Sequence, residues 1–384
     1  MSGLNGTGFA PISRLACAGE TLKRSFIRAY GAHMPFRKVL SATLLAATAV
    51  LPASAQDMRL GFAAPMSDPF AIVGEQASAG AEAAAVKTGA VLTIVDEVCT
   101  SDGGALAAKQ LIAANVQAVA GFLCLESLQG ALPVLTAAGI PVVTTGVRAD
   151  TLTENKDRTS FLLFRIAPAD RMESVALAAD LLVRWRDSPF AIIDDGTVHA
   201  RDLAEALRTS ATEKNLKPVY FDTFRPGLDN QSALARRLAK AGATKVFMGG
   251  DVEDALVLAK NAKDLGIQLD IAIGEPGVPS SAPAAEILAA QLSDQTLLQS
   301  AKDAVMAMRA KNIVPDNNAL SAYASIEVIV DALANNPANI VQALTDDAFQ
   351  TSIGTITFDK TGERIGNPFR VGPLAVPAFI PENQ

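Results

Sequence analysis

Between residues 91 and 148, three β-branched runs alternate with two runs rich in alanine and leucine. The β-branched runs are VLTIVDEVC, QAVAGFLC and IPVVTTGVR, and the runs between them have the composition of helices. Such alternation is typical of βαβ units, in which helices cover both faces of a parallel sheet. The ligand crevice of such a sheet lies outside the carboxyl ends of its strands. This stretch therefore predicts an α/β lobe with a crevice at one sheet edge.

A second series of the same kind begins at residue 190. Strands are predicted over 191–194, 219–224 and 245–250, and 271–277 is predicted as a strand and its loop. Helical patterns separate these runs, so the series repeats the first architecture without repeating its sequence. The length also suits two domains better than one core. The sequence therefore predicts two similar α/β lobes.

The C-terminal part of the chain follows a different pattern. Helical segments are predicted at about 294–311 and 316–335, and a short one at 339–344. The stretch 354–372, GTITFDKTGERIGNPFRVG, has the pattern of a hairpin with a turn at Gly362.

Residues 34–55 have the features of a secretory signal peptide. A basic pair precedes an apolar run over 39–51, which is too short to span a bilayer, and small residues at 53–55 form a cleavage site. The alternative is a short membrane anchor. We therefore expect 1–56 to be a leader, with Met34 as the true start, and the mature protein to be exported.

The mature part is acidic. Without the six basic residues and one acidic residue of 1–56, the chain keeps 27 basic and 39 acidic residues, a net charge of −12. An acidic surface without basic clusters argues against binding to nucleic acid or to anionic membranes. No apolar run of about 18 residues follows the leader, so no membrane span is predicted.

Two cysteines remain after the leader, Cys99 and Cys124, each just past the end of one of two consecutive strands. We expect these strand ends to be neighbours at one sheet edge, where the two sulfurs can meet. An even pair in an exported protein predicts a disulfide, with two buried free thiols as the alternative. A metal site needs more ligands, and no histidine lies nearby, so neither a metal nor another cofactor is predicted.

Catalytic motifs are absent from the mature sequence. One histidine remains, His199, and no HExxH, GxSxG, P-loop or strand-linked GxGxxG motif occurs. Asp194 and Asp195 could form an acid pair, but adjacent carboxylates at a strand end more often begin a loop. We therefore do not predict an enzyme.

Seven segments follow one another along 57–384 in a characteristic order. They are AAPMSDPFAIVGEQASAGAEAA, DEVCTSDGGALAAKQLIAANVQAVAGFLCLES, GIPVVTTGVRADTLT, FRIAPAD, FMGGDVEDALVLAKNAKDLGI, SAYASIEVIVDAL and GTITFDKTGER. In this order the chain resembles the periplasmic leucine/isoleucine/valine-binding protein family of ABC importers. The position and separation of the two cysteines match that family's disulfide.

The resemblance implies the type I periplasmic-binding-protein fold: two Rossmann-like α/β lobes joined by three hinge crossovers, with ligand in the cleft. Lobe 1 would comprise 57–165 and 293–371, and lobe 2 would comprise 166–292 and 372–384. The resemblance also implies a monomer in the periplasm that delivers a small-molecule ligand to an ABC permease. A sensor that docks on a chemoreceptor or kinase is the alternative.

The family's carboxylate grip is altered here. The family serine after the second cysteine is replaced by Leu125, and Ser127 is expected to cap a helix. The family threonine after the fourth strand is replaced by Arg148, whose guanidinium can hold a carboxylate with two N–H groups. A surface arginine is the alternative. Gly146 matches a position that offers backbone groups to the ligand.

The other implied ligand residues are Phe70, Ile72, His199, Asp251, Glu275 and Tyr323. His199 replaces an aromatic residue, with a solvent-facing histidine at a helix start as the alternative. Asp251 begins a helix where it could instead be a simple N-cap, and Glu275 matches the acid for the ligand ammonium. Tyr323 matches a cleft tyrosine, and the first loop should carry the other two side chains into the cleft. An amino acid or another small carboxylate-containing solute is the expected ligand.

Overall fold

The computed structural model describes residues 57–67 and 69–375. The leader 1–56, with its predicted signal peptide and start at Met34, lies outside the described residues. So do Asp68 and the tail 376–384.

The first lobe is built on a five-stranded parallel sheet. Its strands are β1 (Arg59–Ala64), β2 (Val91–Asp96), β3 (Ala118–Gly121), β4 (Val142–Thr144) and β5 (Leu163–Arg165). They lie side by side in the order β2-β1-β3-β4-β5. Every pairing is parallel, and the order reverses between β1 and β3, where a doubly wound sheet leaves its ligand crevice.

Five helices follow these strands. They are α1 (Ala71–Thr88), α2 (Ser101–Ala113), α3 (Leu125–Ala137), α4 (Thr151–Glu154) and α5 (Lys156–Thr159). Thr100 begins α2 as an N-cap, because its side chain accepts a hydrogen bond from Gly103 N at 3.1 Å.

The second lobe repeats the alternation. Its consecutive elements are α6 (Asp170–Arg184), β6 (Phe190–Asp194), α7 (Val198–Glu213), β7 (Tyr220–Thr223), α8 (Ser232–Lys240), β8 (Lys245–Gly249), α9 (Val252–Asp264), β9 (Asp270–Ile273) and β10 (Ile287–Leu292).

The remaining elements distribute between the lobes. They are α10 (Lys302–Arg309), α11 (Asn317–Asn335), α12 (Ile340–Asp346), β11 (Phe349–Thr351), β12 (Gly354–Ile356) and β13 (Phe369–Pro373). The helix α11 returns to the first lobe and packs along α1. At their contact a Cβ added to Gly80 would lie 2.0 Å from Ala319 O, so the two helices approach too closely for a larger residue. The sheet of the second lobe has the order β13-β10-β9-β8-β6-β7, with only β13 antiparallel.

Each sheet is covered by apolar cores on both faces. In the first lobe one core includes α1 and α11 and the other includes α2 and α3. In the second lobe α8 and α9 pack on one face, and α6 and α7 pack on the other. The predicted α/β fold with two lobes is confirmed. Among residues 57–67 and 69–375, none of the helices combines the length and the apolar character that a membrane span requires.

Several local predictions need correction. The stretch 294–311 contains two 3-10 turns before α10 rather than one helix. The strand β10 has no counterpart in the sequence prediction. Gly362 does lie in a turn, but the only β-bridge that the described residues form across that turn joins Phe358 and Arg364. The two-stranded hairpin lies earlier in the chain and is formed by β11 and β12. The end of the predicted hairpin is β13, which pairs with β10, so 369–371 lie in the second sheet rather than in lobe 1.

Candidate functional site

Arg148 is the residue that connects the two lobes at the strand ends. It follows β4 of the first lobe, and its Nη1 lies 2.5 Å from Glu275 Oε2, just past β9 of the second lobe. Its Nε lies 3.3 Å from Asp170 Oδ1, and its Nη2 lies 3.9 Å from Glu173 Oε2. Its guanidinium also stacks on the ring of Phe369, 5.1 Å from the centroid. All four partners belong to α6 or to the second sheet and its loops, so Arg148 fixes one lobe against the other.

Glu173 is the buried centre of this charge cluster. Its side chain has no exposed surface, and its Oε1 accepts a hydrogen bond from Glu275 N at 2.6 Å. Its Oε2 lies 3.4 Å from His199 Nε2, and this carboxylate raises the pKa of His199 above its ordinary value. The structure thus brings together three predicted residues, Arg148, His199 and Glu275, around an acid that the sequence analysis does not single out.

Two cavities meet beside Arg148. The hinge cavity, about 570 Å³, is lined by Arg148, Glu275 and all three crossovers between the lobes, at 166–168, 292–298 and 364–370. The strand-end cavity, about 560 Å³, lies over the first sheet and is lined by Phe70, Leu123 and both cysteines. Gly146 and Asn318 line both cavities, so the cavities are neighbours.

The first-loop residues differ in placement. Phe70 is half exposed and lines the strand-end cavity, whereas Ile72 is 72% exposed and lines neither cavity. A Cβ added to Gly146 would lie 3.0 Å from Leu123 Cα, so a larger residue would crowd the wall of the cavity. Phe70 and Gly146 are placed where a ligand could contact them.

Asp251 lies apart from this cluster. Its side chain caps α9 by accepting a hydrogen bond from Glu253 N at 2.8 Å. It lines a separate cavity of about 560 Å³ together with Asp229 and Asp254. Asp251 therefore has the contacts of an N-cap, which is the alternative interpretation of this residue, and it does not lie beside Arg148.

Tyr323 does not lie in the cleft, contrary to the prediction from the sequence. Its side chain is fully buried in the core between α1 and α11, and Lys87 Nζ lies 5.7 Å from its ring centroid. It therefore lines neither cavity. Other residues of α11, among them Asn317, Asn318 and Ser321, face the hinge cavity instead.

Cys99 and Cys124 form the predicted disulfide, with their Cα atoms 5.2 Å apart. Their strands are not neighbours, because β1 lies between β2 and β3. The cysteines meet because the loops after β2 and β3 both bend over the end of β1. Glu97 N and Phe122 N donate to Ala64 O and Ala63 O.

Removing this disulfide should lower stability. The crosslink joins residues 25 apart, and closing such a loop contributes about 3–4 kcal/mol in the chain-entropy model. We expect the Cys99→Ala/Cys124→Ala protein to lose about that much unfolding free energy in denaturant titrations. Treating wild type with a reductant should give the same loss, and a double variant as stable as oxidised wild type would contradict this expectation.

Beside the disulfide lies a fully buried acid that the sequence analysis does not single out, Glu97. Its oxygens accept hydrogen bonds from Leu123 N at 2.7 Å and Cys124 N at 3.4 Å, and they contact Ser127 Oγ. Ser127 is not an N-cap, since it lies inside the first turn of α3 with its Oγ 3.0 Å from Cys124 O. Burial raises the pKa of Glu97 to about 7. A protonated Glu97 can donate to Ser127 Oγ while that hydroxyl donates to Cys124 O, which satisfies all three groups.

The raised pKa of Glu97 predicts a pH-dependent stability. The folded state holds the proton more tightly than the unfolded chain, whose carboxyl titrates near 4.5. The resulting stabilisation is complete below about pH 4.5 and is lost as pH rises through 7. Between these values wild type should lose about 3 kcal/mol more unfolding free energy than Glu97→Gln, which has no such proton. Glu126→Gln alters an exposed acid on α3, next to Ser127, and should follow wild type. A Glu97→Gln curve parallel to wild type would contradict the assignment.

A second buried ion pair anchors the third crossover. Arg165, at the end of β5, is fully buried and contacts Glu363, whose exposed fraction is 3%. The guanidinium also donates to Ala149 O at 2.7 Å and to Thr153 Oγ1 at 3.1 Å. A sequence signal was available for two of the residues missed. Arg165 interrupts the apolar run FLLFRI, and Glu173 lies on the apolar stripe of α6 that continues with Leu177.

The described residues contain no cluster of three or more histidine, cysteine or acidic side chains that could hold a metal ion.

Comparison with known proteins identifies the family. The profile of the periplasmic binding protein family matches residues 57–375. The Leu/Ile/Val-binding protein homolog 3 of Brucella melitensis is 29% identical over 349 residues, which cover 85% of this chain and 94% of that protein.

Two solved structures show the same fold. The ABC transporter substrate-binding protein of Desulfitobacterium hafniense, in complex with Leu, matches with a TM-score of 0.63 and 20% identity, over 83% of this chain and 98% of that one. A solute-binding protein of Rhodopseudomonas palustris, in complex with p-hydroxybenzoic acid, matches with a TM-score of 0.58 and 18% identity, over 80% and 90%. The chain therefore belongs to the periplasmic binding protein family, which confirms the resemblance found in its sequence.

Proposed function

We propose that the protein is the solute receptor of an ABC importer and binds an amino acid in the cleft between its lobes. The observation that carries this proposal is the ion pair between Arg148 and Glu275, which joins the lobes at the edge of the sheets where α/β folds bind ligands. Lobes that close over a solute present a distinct shape to a membrane partner. The proposal is one of binding without catalysis.

The ion pair favours a zwitterion over a simple acid. A ligand carboxylate that takes Arg148 from Glu275 leaves that acid without its nearest cation, and a charge removed from water without a partner is strongly unfavourable. An α-amino acid supplies both charges, because its carboxylate can pair with Arg148 while its ammonium pairs with Glu275. One ion pair is thereby replaced by two.

The acids around Arg148 support the same assignment. Asp170, Glu173 and Glu275 place three carboxylates near one guanidinium, so the cluster keeps excess negative charge for an ammonium group. The side chain of the amino acid would then extend toward Phe70 and Leu123 in the strand-end cavity. One relative is named for leucine, isoleucine and valine binding, and two similar solved structures hold Leu and p-hydroxybenzoic acid. Amino acids and aromatic acids are therefore the solutes to compare.

The proposal includes the export route and the partner. The leader 1–56 would direct the chain to the periplasm and be removed, and the mature monomer would dock on an ABC permease. The lobes would comprise 57–165 with 293–368, and 166–292 with the chain from 369 onward. These bounds follow the membership of β13 in the second sheet.

A thermal-shift screen tests the proposal. The probes are the twenty standard amino acids, p-hydroxybenzoate, 4-methylpentanoate and isoamylamine. The last two keep the side chain of leucine but lack its amino group and its carboxyl group, respectively. We expect at least one amino acid to raise the unfolding temperature, as any ligand that binds only the folded state does. If leucine is among them, neither single-charge analogue should match it. Stabilisation by p-hydroxybenzoate or 4-methylpentanoate but by no amino acid would contradict the zwitterion assignment.

A further inference from the structure

The hinge cavity contains more positive charge than its ion pairs use. Its charged lining residues are Arg148, Glu275, Arg364 and Arg370. The first two pair with each other. Arg370 is also engaged, because its Nη1 donates to Asn367 O at 2.7 Å and to Phe369 O at 2.8 Å. One arginine is left.

Arg364 is the arginine without a counter-charge. Its side chain forms neither a hydrogen bond nor an ion pair with any of residues 57–67 and 69–375. Burial lowers the pKa of its guanidinium, and no acidic group of the described chain offsets that effect. Partly buried arginines are ordinarily paired, because a guanidinium that loses water needs other acceptors for its five N–H donors.

The backbone holds Arg364 in place at the cavity wall. Phe358 and Arg364 form an antiparallel bridge around the Gly362 turn. Hydrogen bonds from Asp359 N to Glu363 O, 2.8 Å, and from Ile365 N to Thr357 O, 2.9 Å, flank it on both sides. Because the backbone is already fixed here, only the side chain of Arg364 has to be ordered when it binds an acceptor.

We propose that the hinge cavity binds a small carboxylate through the guanidinium of Arg364. The cavity volume of about 570 Å³ accommodates such a group, and Asn318 and Ser321 of α11 line the same space as neutral hydrogen-bonding groups. The carboxylate belongs to a separate small acid or to a second acid group of the solute held at Arg148. The second case rests on the proposed function, since Gly146 and Asn318 line both cavities.

The test compares wild type with Arg364→Met, which keeps the length of the side chain but removes the charge, and with Arg364→Lys. Arg370→Met is the matched control, because it removes an arginine of the same cavity that already has acceptors. Without a probe, Arg364→Met should unfold no earlier than wild type, since it removes a partly buried charge that has no partner among the described residues. An Arg364→Met protein that unfolds well below wild type would mark a structural arginine and overturn the proposal.

Two arms distinguish the sources of the carboxylate, both at fixed ionic strength. In the first, sodium succinate should raise the unfolding temperature of wild type and Arg370→Met but not of Arg364→Met. In the second, calorimetry should show that L-glutamate binds wild type about tenfold more tightly than L-glutamine and that Arg364→Met loses this preference. Arg364→Lys should keep part of whichever response wild type shows.

Either arm supports the proposal. Failure of both, whether through equal responses in wild type and Arg364→Met or through no response at all, overturns it. The proposed function is tested independently of Arg364, by the response to neutral amino acids in the thermal-shift screen and by the Arg148 variants. If those amino acids bind while Arg364 has no effect, the solute receptor stands and the carboxylate site at the hinge does not.

Discussion

Replacing Arg165 with methionine is expected to lower the unfolding free energy by about 3–5 kcal/mol. The guanidinium is fully buried, and its loss leaves Glu363 as a buried carboxylate without the partner it contacts most closely. Ala149 O and Thr153 Oγ1 lose donors as well. Because this pair joins β5 to the segment that leads into the third crossover, its loss should loosen the hinge.

Chemical denaturation measures this effect, and Arg184→Met provides the control. Arg184 pairs with Asp180 one turn earlier on α6, but its side chain is half exposed, so its loss should cost about 0–1 kcal/mol. The double variant Arg165→Met/Glu363→Leu removes both buried charges and should recover much of the loss. If Arg165→Met costs no more than Arg184→Met, the buried pair does not stabilise the hinge.

Replacing Arg148 with alanine should weaken amino-acid binding by about 2–5 kcal/mol, because the ligand carboxylate would be buried with fewer partners. The loss should include the stacking on Phe369 that orients the guanidinium. Arg148→Lys should recover only part of the affinity, because an ammonium lacks the two-pronged donor set. Calorimetric titration with the amino acid that gives the largest thermal shift measures both variants.

The control for Arg148 is another arginine that joins the lobes. Arg171, on α6, lies 2.6 Å from Asp150, which follows β4 of the first lobe, but it lines neither the hinge cavity nor the strand-end cavity. Arg171→Ala therefore removes an ion pair between the lobes without touching the site, and it should bind as wild type does. An Arg148→Ala protein that binds within about twofold of wild type would show that the carboxylate is held elsewhere.

The alternation of strands and helices and the crevice edge could be predicted from the sequence because they depend on local patterns, whereas the strand order could not. The run IPVVTTGVR is continuously apolar before a polar end, as a strand buried on both faces requires. Its end therefore marks the crevice, and Arg148 and Gly146 lie there. The disulfide was predictable for the same reason, although β1 between the two strands changes how the cysteines meet.

Contacts between distant segments could not be predicted in this way. The helix α11 is buried on most of its surface, between α1 and the first sheet, so its sequence does not show that Tyr323 faces the core rather than the cleft. The alternation of 369–373 fits a local hairpin equally well, but its partner is the distant strand β10. The charged contacts of Glu173 are with Arg148 and His199, which are supplied by other elements.

The central claim is that an amino acid binds between the lobes by replacing the ion pair of Arg148 and Glu275. A crystal structure of the complex with the amino acid that most raises the unfolding temperature tests it directly. The account predicts a ligand carboxylate bonded to Arg148, a ligand ammonium bonded to Glu275, and both lobes in contact with the ligand. A structure in which Arg148 still pairs with Glu275 and the amino acid binds elsewhere would contradict it.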